Sequence, residues 1–337
     1  MRNINHKQIV NFFENKLSAI CLPEEVIETT IDSLVNASLF GIDSHGVNLF
    51  EHYYLCLQNG RIKKGKDIKF DVKGSSVKCN ANHNLANFAA RKILLKLDEL
   101  SEKNGISYGT IVNSDHIGAV GIHAVNSGIK NKIILGFTNA DALAVTPDGE
   151  NILFGTNPIS LVIQIKNKLT YVDLATTNFS MNKVKNFRRA KTNLPENVAR
   201  NELLELTNDP FKASYLEPIG GHKGFALAFL VEILTSGLSN QNHSIDLMPM
   251  YGTDLKEQRC VSHSFIIINP SFLGDYSIDS LASTISTTVK NVSSTQAELI
   301  PGIKESLTKK KREKNGIPVD NEILKGWIKM GFNIDKI

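Results

Sequence analysis

Cysteine is scarce in this chain: Cys21, Cys56, Cys79 and Cys260 are spread over 337 residues and form no CxxC pair. That spacing suggests neither a disulfide framework nor a zinc knuckle, and it fits a reducing compartment. One-signed charge is scarce too, since 38 basic residues against 34 acidic ones leave only +4, too dispersed to point to nucleic acid. The one dense basic run, "KKKREK" at 309 to 314, follows an amphipathic pattern and reads as a solvated helix face. Long apolar runs are missing as well. The longest, "GFALAFLVEIL", contains Glu232 and falls well short of the ~20 residues of a membrane span, so no membrane partner is expected. The opening "MRNINHKQIVNFFENK" carries charge throughout, so no signal peptide is expected and the chain reads as cytoplasmic. No internal repeat or low-complexity segment is visible. With 42% hydrophobic residues, the chain is long enough for one large or two ordinary domains.

What is there changes texture along the chain. An amphipathic segment from Lys7 to Ile20 and a second opened by "LPEEV", with Pro23 suited to a first turn, predict helices, the second ended by Gly41. A third apolar period, Val47, Phe50, Tyr54 and Leu57, runs to Asn59-Gly60 and sets "GIDSHG" at a helix-to-helix junction. From Ile68 short strands follow, "IKFDV" and "SVKCNA", then a helix from Asn84 to Lys103 stopped by Gly105. The centre alternates strand and helix, the pattern of an α/β or mixed α+β domain. "LVIQI" and "LTYVDLA", joined by "KNK", predict a hairpin whose antiparallel pairing argues against a purely parallel sheet. A polar connector at 176–210 shows little period, and a loop of that length is functional or mobile. The helix after Gly224 is apolar on nearly all sides and is expected to be buried. A strand, "SHSFIIINP", then leads into helices at roughly 277–293, 303–314 and 321–331.

Four polar clusters are suited to chemistry, and each also has an ordinary structural explanation. In "GIDSHG", Asp43 or Ser44 suits an N-cap, placing His45 in a first helical turn whose positive end disfavours imidazolium. Such a neutral His45 is either ready to exchange a proton near pH 7 or merely a solvent-facing neighbour of the cap. In "VNSDHIGAVGIH" a strand ends at Val112 and the small residues Gly118, Ala119 and Gly121 open a helix. His116 thus stands where open sheets place ligand chemistry, although a satisfied histidine at a tight turn has the same pattern. In "EPIGGHKGFALAF" a Gly-Gly turn and Lys223 at a helix start suit a phosphate or carboxylate, or an ordinary turn. Neither GxxxxGK[ST] nor GxGxxG occurs, so there is no Walker A loop and no Rossmann fingerprint. Asn139, Thr156, Asn157 and Asp173 stand at strand ends, fit for polar contacts to a nucleotide or for β-turns. His45/His52 and His116/His123 are each seven apart, but no cysteine or carboxylate joins them at a ligand spacing, and no metal is expected.

Together, "GIDSHGV", "VNSDHIGAVG", "GFTNADA", "FGTNPIS", "VDLATT", "PIGGHKGFALAFLVEIL" and the C-terminal "PG" and "NGIPV" occur in the order of one family. The sequence resembles the malate/L-lactate dehydrogenase family of type 2 over essentially its whole length. The resemblance implies an α/β fold with a mixed-sheet, non-Rossmann domain that binds NAD or NADP, residues 74–274, and a helical domain formed by both chain ends, residues 1–73 and 275–337. It further implies a homodimer acting on a small 2-oxo or 2-hydroxy acid, some relatives handling ureidoglycolate, diketo sugar acids or cyclic imino acids. Carried over by position, His116 is the proton-exchanging histidine, and His45 with Ser44 is the pair beside substrate and nicotinamide. Asp173, Leu174, Ala175, Thr176, Lys223, Gly224 and the turn at Gly302 match cofactor contacts, Asn139 at its strand end and His222 beside Lys223 are expected to join them, and Tyr53 is expected at the substrate. The departures are specific. Leu49 stands where relatives carry an arginine for the substrate carboxylate, a bidentate contact that leucine cannot make. Glu51 replaces a proline, Ala140 a serine and Ile303 a glutamate, and "ARNELLEL" lacks the usual aspartate-glycine turn. Three consequences stay open: a less acidic or larger substrate with Leu49 widening or drying the pocket, a carboxylate contact supplied by Arg188 or Arg189, or a relative that binds cofactor without catalysis.

Overall fold

The apolar stripe of the N-terminal segment becomes a helix packed on a second one, and the rest of the chain is built outward from that pair. A computed structural model describes residues 1–166, 168–274, 278–290 and 300–334. The chain opens with β1 (Arg2–Ile4), α1 (His6–Ala19) and α2 (Glu24–Leu39), the last with Pro23 at its N-cap rather than in its first turn. Two single 3-10 turns, Asp43–His45 and Val47–Leu49, lead into α3 (Phe50–Asn59). Then come β2 (Lys69–Lys73), β3 (Ser76–Asn80), α4 (Ala86–Asn104), β4 (Ile106–Ser114), α5 (Val120–Asn126) and β5 (Ile133–Thr138). The middle continues as β6 (Ala144–Val145), β7 (Ile152–Phe154), β8 (Ile159–Ile165), β9 (Lys168–Leu174), α6 (Met181–Ala190), β10 (Ala199–Arg200) and β11 (Tyr215–Leu216). The last elements are α7 (His222–Glu232), β12 (Val261–Ile268), α8 (Ile278–Lys290), α9 (Ile303–Asn315), β13 (Ile317–Val319) and α10 (Asn321–Lys329). The part of the expected 277–293 helix beyond Lys290, and its first residue, lie outside the described residues.

The main sheet has seven strands in the order β2-β3-β4-β12-β5-β8-β9, with β3 and β4 parallel and every other pair antiparallel. The predicted β8–β9 hairpin is one edge of it. That mixed pairing is the reason no doubly wound crevice exists here: successive strands turn back rather than cross over. A smaller sheet, β10-β11-β6-β7, flanks it. One apolar core lies under the main sheet, where Ile93, Leu94 and Leu97 of α4 meet Ile111, Ile134, Val162 and Phe265. A second joins both chain ends, since Phe13 of α1 stacks on Phe50 at 3.6 Å and meets Trp327 of α10 edge-on at 5.3 Å.

Two expectations are corrected. The polar connector contains a helix, α6, whose Val184 packs into a small third core with Leu194 and Leu216 while Phe187 packs against it. The helix after Gly224 is also only half covered: Gly224, Ala228 and Val231 are buried, but Leu227, Phe229 and Leu230 are exposed. A helix apolar on all sides needs partners on all sides, and the described residues supply them on one.

Candidate active site

The "GIDSHG" stretch does not form the expected capped helix. Asp43 is engaged instead by Arg312 of α9, whose Nη2 donates to its Oδ2 at 2.9 Å, so one residue of the basic run is turned inward. The 3-10 turn is held to α2 by the Ile42 N–H on Ala37 O at 2.8 Å and by the Val47 N–H on Ser38 Oγ at 3.0 Å. Gly46 is required there, because a Cβ at this position would lie 2.9 Å from the Ser38 nitrogen. His45 is thereby the last residue of a single 3-10 turn rather than part of the first turn of a longer helix. Burial rather than a helix dipole keeps it neutral, pushing its pKa down to about 4.

His116 arrives from the segment between β4 and α5, and the two imidazoles face each other with centroids 5.5 Å apart and planes 20° from parallel. The Tyr53 hydroxyl lies 2.8 Å from His116 Nδ1, and the Gly118 N–H donates to the same nitrogen at 3.3 Å. A backbone N–H only donates, so Nδ1 is an acceptor in the neutral ring and the proton sits on Nε2. Burial, then the charges of His45 and Arg259, hold this ring well below the ordinary histidine range. Ser44 Oγ stands in the same relation to His45, 2.8 Å from its Nδ1.

The two rings line a cleft of about 240 Å³ whose walls also include Thr138, Asn139, Asp141, Thr156, Tyr251 and Arg259. Arg259 is the residue that sequence reasoning missed. Its guanidinium is buried, reaching Asp115 at 3.3 Å, Asp141, and the Met248 carbonyl at 2.8 Å. Asp115 in turn accepts the His116 backbone N–H at 2.6 Å, so this cation fixes the turn that carries the histidine. No local signal marks it, because its partners lie 144 and 118 positions away.

Of the predicted cofactor residues, Asn139 lines the cleft itself, its amide tied to Asn242 O at 3.1 Å and to the Ser262 N–H at 2.9 Å. Thr176 donates through N and Oγ1 to Thr156 O at 2.9 and 3.0 Å, joining the end of β9 to the cleft wall. Gly224 then packs the start of α7 on that strand end; a Cβ would lie 2.6 Å from Thr176 O and 2.5 Å from Ile219 N. His222 and Lys223 are exposed on the first turn of α7, with Leu174 exposed and Ala175 half-buried on the neighbouring strand end. Asp173 accepts the Gly121 N–H and the Tyr171 hydroxyl, both at 2.9 Å, and burial pushes its pKa up to about 6 against those bonds. Gly302 lies elsewhere, in a cavity between β9 and α9, where a side chain would meet the Tyr171 nitrogen at 2.9 Å.

A model of the malate/L-lactate dehydrogenase family matches residues 4–326. The chain belongs to that family. A malate/(S)-sulfolactate dehydrogenase from Methanothermus fervidus is 32% identical over 91% of this chain and 91% of its own. An L-sulfolactate dehydrogenase from Methanothermobacter thermautotrophicus is 28% identical over 98% of this chain and 97% of its own. In fold, a solved dehydrogenase from Sinorhizobium meliloti superposes with a TM-score of 0.90 at 22% identity, covering 98% of both chains. As a family member the chain is an oxidoreductase of the hydroxy-acid dehydrogenase kind.

For this dehydrogenase the three expected substrate contacts fall in three places. Tyr53 is buried, with its hydroxyl against His116 Nδ1, and does not line the cleft. Arg188 turns away, its Nη2 donating to Ala213 O at 2.7 Å and its Nε to Pro210 O. Leu49 lines an adjoining pocket with Arg189 and Lys185, and Lys185 also lines the cleft.

Proposed function

We propose that this dehydrogenase moves a hydride between NAD or NADP and C2 of a small 2-oxo or 2-hydroxy acid, with His116 exchanging the proton on the C2 oxygen. The observation that carries the assignment is His116 in the cleft with Nδ1 committed to Tyr53 and Gly118, which leaves Nε2 as its exchangeable site. The cleft fits the cofactor's reactive end: flat apolar walls from Ile117, Leu143, Pro158 and Val261 sit beside the amide and hydroxyls of Asn139, Thr138 and Thr156, a donor set suited to a planar ring bearing a carboxamide. Backbone at Asp173 to Thr176 and the exposed Lys223 at the start of α7 suit the phosphates. When bound, the cofactor supplies or accepts the hydride, and the chain orients the acid and moves the proton.

His116, neutral at pH 7, is ready as the base in oxidation and takes up a proton before serving as the acid in reduction. His45, steadied by Ser44, polarises the C2 oxygen from the facing wall. The exposed Leu227, Phe229 and Leu230 of α7 support a second copy of the chain as their cover, and the core shared by both chain ends supports a helical lobe made of residues 1–73 and 275–337 beside a cofactor lobe of 74–274. Among the described residues no helix is long and apolar enough to cross a membrane.

The test is spectrophotometric. Purified protein is mixed with NADH or NADPH and a panel of 2-oxo acids and cyclic imines, and loss of the reduced-nicotinamide band is followed. His116→Ala is expected to cut kcat by ~10²–10⁴ while cofactor binding persists. A variant that keeps most of its turnover would remove His116 from the role.

A further inference from the structure

The pocket that adjoins the catalytic cleft has an unusual charge pattern. On α6, Asn182, Lys185, Asn186 and Arg189 recur at i, i+3, i+4 and i+7, so they share one helical face, and that face forms one wall of the pocket. Leu49, His52 and Leu55 form the opposite wall. The pocket has a volume of about 290 Å³ and shares Asn182, Lys185 and Tyr251 with the cleft that holds both histidines. The two spaces therefore adjoin at these three residues, and Lys185 is reached from both.

Neither cation on this wall has an anionic partner among the described residues. Lys185 lies over the Tyr251 ring at 3.1 Å, and Arg189 donates only to the neutral Asn186 Oδ1 at 3.2 Å. The two carboxylates lining the pocket are directed elsewhere. Asp43 is paired with Arg312, and Glu51 lies against α10, where a Cβ on Gly326 would stand 2.8 Å from its Oε2. Two adjacent cations without counter-charge at the mouth of a pocket attract an anion. His52, held neutral by burial, adds no further charge to the pocket.

We propose that Lys185 and Arg189 determine substrate specificity by holding a second anionic group of an extended 2-oxo or 2-hydroxy acid, on the wall facing Leu49. This rests on the reading of the cleft as the site of hydride transfer. Leu49 leaves the α3 side apolar, so the tail's carbon chain packs on Leu49 and Leu55 while its terminal carboxylate, sulfonate or phosphate meets α6. The distal anion is thus recognised across the pocket from the position where relatives carry an arginine.

Two measurements test this. The first compares kcat/KM for pyruvate with that for 2-oxo dicarboxylates of four to six carbons, in the wild type and in Arg189→Gln and Lys185→Met. The wild type is expected to prefer a dicarboxylate, and each substitution to collapse that preference by ~10-fold or more, mainly through KM, as befits loss of a charged hydrogen bond. A preference ratio that is unchanged in both variants overturns the proposal. The second measures calorimetric binding of glutarate and adipate, which cannot react, in the presence of cofactor. Binding by the wild type that weakens ~10-fold in Arg189→Gln supports the anion pocket even if no 2-oxo acid is turned over, in which case the hydride-transfer reading fails alone. Absence of dicarboxylate binding to the wild type overturns the proposal whatever the turnover. Arg189 is exposed, so Arg189→Gln is expected to melt with the wild type, which separates a binding defect from a folding one.

Discussion

Replacing Tyr53 by phenylalanine removes one oxygen from a fully enclosed position and tests how His116 is set. In the neutral ring the Tyr53 hydroxyl donates to Nδ1 at 2.8 Å, with Gly118 N–H as a second donor at 3.3 Å. In the imidazolium Nδ1 carries a proton and becomes a donor. The hydroxyl can then rotate to accept it while giving its own proton to His116 O, 3.2 Å away. Tyr53→Phe leaves the neutral ring one donor but leaves the charged ring facing only another N–H. The charged form loses a bond worth ~1.5–3 kcal/mol and the neutral form one of ~0.5–1.5 kcal/mol, a difference of ~1–1.5 kcal/mol. At ~1.4 kcal/mol per pKa unit, the histidine becomes about one unit harder to protonate. Since reduction needs the imidazolium, kcat/KM for a 2-oxo acid should begin to fall at a pH about one unit lower, and drop ~10-fold above that limb. The assay is the pH profile of reductive kcat/KM with saturating cofactor, beside a thermal melt to confirm the fold. A uniform loss at every pH, with the limb in its wild-type place, would refute the tautomer argument and leave Tyr53 as packing alone.

Gly224→Ala drives a Cβ to 2.5 Å from Ile219 backbone atoms and 2.6 Å from Thr176 O, so it should cost ~1–3 kcal/mol in chemical denaturation and weaken NADH binding; a stable variant with native cofactor affinity would detach this turn from the cofactor site. Arg259→Leu strands Asp115 and Asp141 without their cation, and ~3–5 kcal/mol of stability should disappear in chemical denaturation at pH 7; a loss under ~1 kcal/mol would show that the buried pair is not structural. Buried neutral His123 and His263, pushed down to about 4 and about 3, bind no proton in the folded state at pH 5 while the unfolded chain does, so stability falls as pH drops below ~6.5. Asp173, raised to about 6, works the other way with one proton, but buried His45 and His52, each pushed down to about 4, add to the histidine side, so the net change in urea titrations is a loss of stability between pH 7 and pH 5. Equal stability at the two pH values would contradict the neutral burial of those rings.

The elements that could be read from the sequence are those whose cause is local. The stripe through Phe12, Phe13 and Leu17, the stop at Gly60 and the β8–β9 hairpin each follow from neighbours a few positions apart. Likewise His45 and His116 stood out because each sits in a short polar turn between apolar runs. What was misjudged depends on distant partners. Asp43 looks like a cap until Arg312, 269 positions away, claims its carboxylate, and the cap disappears with it. Arg188 and Arg189 look equivalent in sequence, yet one is consumed by the carbonyls of Pro210 and Ala213 while the other faces the pocket. α6 stays hidden in the sequence because its buried stripe is short, with Val184 alone fully buried, Met181 and Phe187 only partly so, and most other positions polar.

The geometry of the two histidines matches the proton count of the reaction. Each ring has its Nδ1 turned to a protein hydroxyl, Ser44 for one and Tyr53 for the other, so each has Nε2 as its remaining nitrogen. With centroids 5.5 Å apart in a low-dielectric cleft, a charge on His45 opposes a charge on His116. Two protonations are therefore harder than one, and burial already opposes the first. Reduction of a 2-oxo acid consumes one proton beside the hydride, and oxidation returns it. An anionic substrate arriving between these rings favours the singly protonated pair, while the doubly charged state stays excluded by repulsion. Burial keeps both unliganded rings neutral, and at His116 the fixed positive charge of Arg259 adds to it, so proton uptake there is favoured by the arrival of the anionic acid that is to be reduced.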